Sequence, residues 1–152
     1  MTISAKHIPA GLQELTPVLV VNDSNRAIEF YKTVFGAKER MRLTEPGGKV
    51  VHGELTIGHS VTMVSDEFPE WGDISPKTEI PSPVRIALYV EDVDVVADRA
   101  IAHGARLLIP IADQFYGDRG GRLADPFGHI WILATHKEDV SQDEMQKRME
   151  AL

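Results

Sequence analysis

Two βαβββ units in tandem, an α+β fold, are what the amino-acid sequence predicts, on three observations. The run at 16–23 (TPVLVVND) has the form of the run at 85–92 (RIALYVED), each an apolar, β-rich stretch closed by an acidic residue. Each leads into a segment with helical spacing that ends at Gly-Ala: Ala27, Ile28, Tyr31 and Val34 before Gly36, then Val93, Val96, Ala97, Ala100 and Ile101 before Gly104. Behind each helix stand three strand-like stretches.

Taken in order, the elements begin with Ser24 and with Asp92 or Asp94 as expected helix N-caps, because a short side-chain oxygen there accepts a free N–H of the first turn. Gly36 and Gly104 suit the left-handed position past a helix end, where a Cβ would clash. Strands are expected at 38–44, 50–57 and 60–65 in the first unit, and at 106–111, 121–124 and 129–135 in the second. Turns fall at Pro46-Gly47-Gly48 and Gly58-His59, then at Gly120-Gly121 and Asp125-Pro126-Phe127-Gly128-His129. Residues 15–66 thus make the first unit and 84–136 the second. Residues 67–83, rich in Pro, Gly and charge, are a linker or a pocket lid, and 137–152 are a tail with a short polar helix of the SQDE capping type. One helix covers one face of a four-stranded sheet. The uncovered faces are therefore expected to pair into a cupped mixed sheet around a pocket, with the helices on the outer face. A filled interior is the alternative.

Composition narrows the function. The 152 residues are 43% apolar and 26% charged, enough for one domain with its own core. A net charge of −7 and no Lys/Arg cluster argue against nucleic acid, which needs cations to displace counterions. No apolar run approaches the roughly 18–20 residues that span a bilayer, and the start MTISAKHIPAG has no signal-type apolar region, so no membrane partner and a cytoplasmic address are expected. Zero cysteines exclude disulfides, thiolate nucleophiles and Cys-type zinc sites. There is also no phosphate loop and no dinucleotide fingerprint.

The stretches TPVLVV, AIEFYKTVFGA, HGELTIG, ALYVEDVD and DQFYGDRGGRLADPFGHIWILATHKEDV span nearly the whole chain. Together they resemble the PhnB-like branch of the glyoxalase/bleomycin-resistance (vicinal oxygen chelate) superfamily, and the last block is the most specific. The resemblance implies a homodimer. It also implies a range of activities, from metal-dependent lyases, isomerases and dioxygenases to proteins that only sequester an antibiotic, so site residues must decide the chemistry. Four metal positions are implied, on the first and last strand of each unit, and they fall on Thr16, Arg85, Ile132 and either Thr62 or Met63. None is a histidine or a carboxylate, and a guanidinium has no lone pair to donate. No metal or other cofactor is therefore expected.

His52 and Glu54 form a His-x-Glu pair on one strand, and alternation puts them on one face with Thr56, while Val51, Leu55 and Ile57 suit packing on the helix. The pair could hold a displaced metal, contact substrate or move a proton, or serve structure alone. His129 is expected to brace its turn; His7, His59, His103 and His136 read as exposed surface. The loop at 113–119 brings Phe115 and Tyr116, and two readings stand: a ligand lid with a mobile glycine, or a loop anchored by its rings and stiffened by an Asp118–Arg119 pair. Arg122 shares an alternation class with Gly120 and not with Leu123, so it joins Thr16, His52, Glu54 and Arg85 as a candidate for the cup. Arginines there favour a ligand with a carboxylate, phosphate or enolate oxygen, unless Arg85 pairs with Glu54. The favoured function is metal-independent binding of a small molecule. The alternative is a glyoxalase-like lyase or isomerase, with His52 or Glu54 as general base and Arg85 as oxyanion stabiliser.

Overall fold

In the computed structural model residues 4–77 and 79–152 are described, while 1–3 of the polar start and Thr78 of the linker lie outside the described residues. The chain divides into two compact units, Met1–Pro76 and Lys77–Leu152.

The first unit runs β1 (Val18–Val21), α1 (Ser24–Phe35), β2 (Lys38–Thr44), β3 (Val50–Ile57) and β4 (Ser60–Asp66). Its sheet has the order β1-β4-β3-β2, with β1 parallel to β4 and the other pairs antiparallel. The apolar stripe of α1, Ala27, Ile28, Tyr31 and Val34, is fully buried, as are Val21, Leu55 and Val64 of the sheet. The valine, leucine and isoleucine side chains among them each contribute about 1.5–3 kcal/mol by leaving water. Gly53 lets the helix lie close, since a Cβ there would stand 3.3 Å from the Val64 carbonyl oxygen and 3.6 Å from Ile28 Cδ1. The helix cap is Asp23 rather than Ser24: the Asp23 carboxylate accepts from Arg26 N, and the Ser24 N–H donates to Asp66 Oδ1 at 2.8 Å. Asp66 Oδ2 also accepts the Val50 N–H at 2.6 Å, so one buried carboxylate ties β4 to α1 and β3.

Two bulges alter the face assignments. Between Glu39 and Met41 the partner strand advances by one residue only, leaving Arg40 unpaired; between Leu43 and Thr44 it advances by two, leaving Val51 unpaired. Val51 accordingly leaves the alternation and is 39% exposed, contrary to its expected packing on the helix.

The second unit repeats the plan with β5 (Arg85–Tyr89), α2 (Val93–Ala102), β6 (Arg106–Asp113), β7 (Asp118–Ala124) and β8 (Ile130–His136), in the order β5-β8-β7-β6. Asp92 caps α2, and Gly104, at φ 101°, follows the cap residue His103. Val93, Ala97 and Ala100 are buried together with Leu123, Trp131 and Leu133. Here Thr135 Oγ1 does the tying, accepting the Val93 N–H at 2.9 Å and donating to the Val90 carbonyl at 2.8 Å. The expected turn at Gly120-Gly121 is instead the middle of β7. Neither position has room for a Cβ, which would meet the Leu133 oxygen at 2.5 Å or the Ile109 oxygen at 2.5 Å.

The linker region is structured up to the unit boundary. Phe68 bridges to Asp73 across a short 3-10 turn (Pro69–Trp71), stacks on Trp71 at 4.7 Å, and is buried, while the Glu67 carboxylate accepts from Ser75 N and Oγ. The tail forms α3 (Gln142–Glu150), capped by Ser141, whose hydroxyl accepts the Glu144 N–H as the SQDE motif predicts.

Candidate functional site

Each sheet has one face on its helix and one face turned away, and register decides which side chains the second face carries. In the first unit Val18 pairs with Met63 and Met63 with Glu54, so these three share the face opposite α1, and His52 joins them by alternation. Thr62 pairs with buried Leu55 and lies on the helix side, whereas Met63 lies on the face opposite α1. Thr16 stands two residues ahead of β1, half-buried, its hydroxyl donating to the Gln13 carbonyl at 3.3 Å.

Glu54 is buried, and its carboxylate lies 2.8 Å from His52 Nε2 and 3.7 Å from Arg40 Nε. Arg40 is the bulge residue of β2, and its other nitrogens donate to the Gly11 and Ala10 carbonyls at 3.0 and 3.1 Å. Glu54 is thus partnered within its own unit by an arginine that alternation alone did not bring to it. The pair His52–Glu54 is brought together as expected.

In the second unit Arg85 pairs with Ile130, Ala87 with Ile132, and Ile132 with Arg122, so Arg85, Ile132 and Arg122 share one face of one sheet, opposite α2. Arg85 is exposed and Arg122 half-buried. The Arg122 Nε has no solvent exposure and no hydrogen-bond partner among the described residues. Phe115 and Tyr116 occupy a tight turn between β6 and β7, closed by Gln114 N donating to the Asp118 carbonyl at 2.7 Å. That turn is fastened from outside: the Gly117 carbonyl accepts the Lys137 and Glu138 N–H groups, and Arg148 of α3 donates to the Phe115 carbonyl. A Cβ on Gly117 would fall 2.3 Å from the Glu138 oxygen, so this glycine serves close packing and not mobility. Asp118 and Arg119 do not pair. Neighbours in a strand face opposite ways, and Arg119 reaches Asp94 of α2 at 2.8 Å on the helix side.

On the other side, Asp118 anchors a cluster that sequence reasoning missed. Its Oδ2 accepts the Tyr89 hydroxyl at 2.8 Å, its Oδ1 lies 2.7 Å from His136 Nδ1, and His136 Nε2 lies 2.7 Å from Asp139 Oδ1. The imidazole between two carboxylates has its pKa raised, chiefly by the hydrogen bond to Asp118, and the same carboxylate raises the Tyr89 phenol. The alternation that placed Arg122 with Gly120 extends to Asp118, which was the available signal. His129 supplies its backbone N–H to the Asp125 carboxylate at 3.0 Å; Asp125, also accepting from Phe127 N and Trp131 Nε1, is the side chain that braces the turn.

A family model described as Glyoxalase/Bleomycin resistance protein/Dioxygenase superfamily matches residues 12–133. The chain belongs to this superfamily. Mb0911c of Mycobacterium bovis, an uncharacterized protein, is 40% identical over 138 residues, covering 89% of this chain and 91% of its own. The solved structure of the Arabidopsis thaliana At5g48480 product is 28% identical with a TM-score of 0.65, covering 81% of this chain and 98% of that one. A glyoxalase-related enzyme from Fulvimarina pelagi is 25% identical with a TM-score of 0.63, covering 82% and 89%. The superfamily's metal chemistry needs imidazole or carboxylate donors. The residues to which the resemblance assigns those positions, Thr16, Thr62 or Met63, Arg85 and Ile132, include no imidazole and no carboxylate. Among the described residues no group of three or more His, Asp or Glu converges as a metal-holding set. No helix is long and apolar enough to cross a membrane.

Proposed function

We propose that this member of the superfamily, of its PhnB-like branch, binds an anionic or enolisable small molecule without a divalent metal, as a cytoplasmic homodimer. The observation that carries the reading is Arg122, a half-buried guanidinium whose Nε is out of solvent and unpartnered among the described residues. A buried donor in that condition costs about 1–3 kcal/mol, more when charged, and an anionic ligand removes the cost. Glu54 is engaged by Arg40 and His52. The test is a thermal-shift screen of small molecules on dialysed protein in EDTA. Ligands that raise the melting temperature equally with and without EDTA are expected. Stabilisation that requires added manganese, nickel or zinc would overturn the metal-free reading.

Elemental analysis gives a second check: dialysed protein is expected to hold far less than one divalent metal per chain. A full equivalent that survives dialysis and is lost in His52→Ala would place a displaced metal on the His-x-Glu pair.

The 2.8 Å approach of His52 to Glu54 supports the alternative, a glyoxalase-like lyase or isomerase that abstracts a proton beside a carbonyl. That reading predicts deuterium uptake into an enolisable 2-oxo acid, lost in both His52→Ala and Glu54→Gln. Uptake indifferent to both substitutions would remove it.

A further inference from the structure

The face of the second sheet turned away from α2 has a shape as well as a charge. Arg85, Ala87 and Tyr89 alternate onto it along β5, and the register continues from Ala87 through Ile132 on β8 to Arg122 on β7. Ala87 is thus a short side chain between two long ones, a notch in the row of β5 that lies in register across the sheet with Ile132 and then Arg122. Ala87, Arg85 and Tyr89 are all exposed, and Ile132 is half-buried.

Tyr89 is a fixed wall. Its hydroxyl is held by Asp118 on β7, so the side chain is laid from β5 across β8 and does not swing into the notch. Both oxygens of that carboxylate are engaged, Oδ2 by Tyr89 and Oδ1 by His136, and among the described residues it forms no ion pair with Arg122. Among the described residues neither Arg85 nor Arg122 takes part in any ion pair, whereas Arg40, Arg42, Arg119 and Arg148 all do. In a chain of net charge −7, two unpaired arginines on one sheet face are a local reversal of sign.

We propose that this notch is a site for a flat organic carboxylate, its apolar ring lying on Ala87 and Ile132 beside Tyr89, its carboxylate paired with Arg122 and flanked by Arg85. The inference rests on the reading of the protein as a small-molecule binder and adds the charge and shape of the ligand. A planar two-oxygen anion matches the guanidinium fork, and it can be carried on an apolar body that the alanine and isoleucine floor will accept. A free phosphate lacks that body, and a neutral ligand leaves Arg122 unpaired.

Isothermal titration with 2-naphthoate and its uncharged counterpart 2-naphthamide tests the site. Naphthoate is expected to bind at least tenfold more tightly than naphthamide, with backbone amide shifts at Ala87, Arg122 and Ile132 in nitrogen-15 NMR spectra. Arg122→Met should remove that tenfold preference, and Arg122→Lys, keeping charge without the fork, should retain part of it. Ala87→Leu lies on an exposed position and should fill the notch, weakening naphthoate at least tenfold while thermal melting stays unchanged; this variant carries the test if Arg122→Met does not fold. Equal affinities for the two probes, naphthoate binding indifferent to Ala87→Leu, or no binding of either probe would overturn the notch. Those results leave the wider reading standing if the library screen yields metal-independent ligands elsewhere.

Discussion

A single imidazole, that of His136, holds the end of β8 to two carboxylates, and only its protonated form can donate to both. Its pKa is raised above the ordinary 6.5 by the hydrogen bonds to Asp118 and then Asp139. A group whose folded value is raised contributes stability that is fully present below its unfolded pKa and is lost as pH rises through the folded value. The link is therefore complete below about pH 6.5 and fades above it. Proton NMR is expected to show a His136 midpoint above 6.5 that falls in Asp118→Asn, and the stability difference between the two proteins should shrink at alkaline pH; an unmoved midpoint counts against the contact. Asp125 makes the sharper structural claim. It accepts from Phe127 N, His129 N and the indole of Trp131, and both the carboxylate and the indole are buried. Asp125→Ala leaves those donors unpaired at roughly 1–3 kcal/mol for each one that stays buried, so urea denaturation should show a loss of about 3 kcal/mol or more. A loss under about 1 kcal/mol would mean that water replaces the carboxylate.

At the scale of elements, what was legible in the sequence is whatever depends on neighbours in sequence. The paired TPVLVVND and RIALYVED runs, the helix stripes and the Gly-Ala ends gave eight strands and two helices in the right order, because periodicity is local. His52 and Glu54 were placed on one face by alternation, and Arg122 likewise. Two kinds of departure from the sequence pattern stand out, bulges and contacts between distant strands. Val51 departs from its expected face because it is the unpaired residue of one bulge, and Arg40 reaches Glu54 from another, which no period-2 pattern registers. Tyr89, Asp118 and His136 meet only because β8 lies between β5 and β7, although Tyr89 and Asp118 are 29 residues apart. The turn carrying Phe115 and Tyr116 has the composition of a lid, yet the tail residues bolt it down. Gly117 tests that difference. At φ 99°, with 2.3 Å between a new Cβ and the Glu138 oxygen, Gly117→Ala should cost about 1–3 kcal/mol and loosen α3 as well. Hydrogen exchange in α3 faster than in the parent protein is the expected signature, while an undisturbed α3 would return this loop to the status of a lid.

For the whole molecule, the edges of the sheets bear on assembly. An edge strand presents free N–H and C=O groups that invite another chain unless charge or proline blunts them. In the first unit the edge strand β2, KERMRLT, carries Lys38, Glu39, Arg40 and Arg42, which makes it a poor docking edge. The edge strand β6 of the second unit, RLLIPIAD, is its opposite: Leu107, Leu108 and Ile109 are each about two-fifths exposed, and only Pro110 interrupts the apolar run. Homodimerisation, expected from the family resemblance, is therefore predicted to bury β6. Light scattering at micromolar concentration should give twice the 16.8 kDa of one chain, and Leu108→Glu, which changes the bulge residue between Leu107 and Ile109, should shift the mass to that of a single chain with the melting profile of each unit retained. A stable mass of 16.8 kDa for the unmodified protein would remove the dimer altogether. A dimer that survives Leu108→Glu and also Ile109→Glu would place its interface on another surface, with β6 left as an exposed edge protected by its proline.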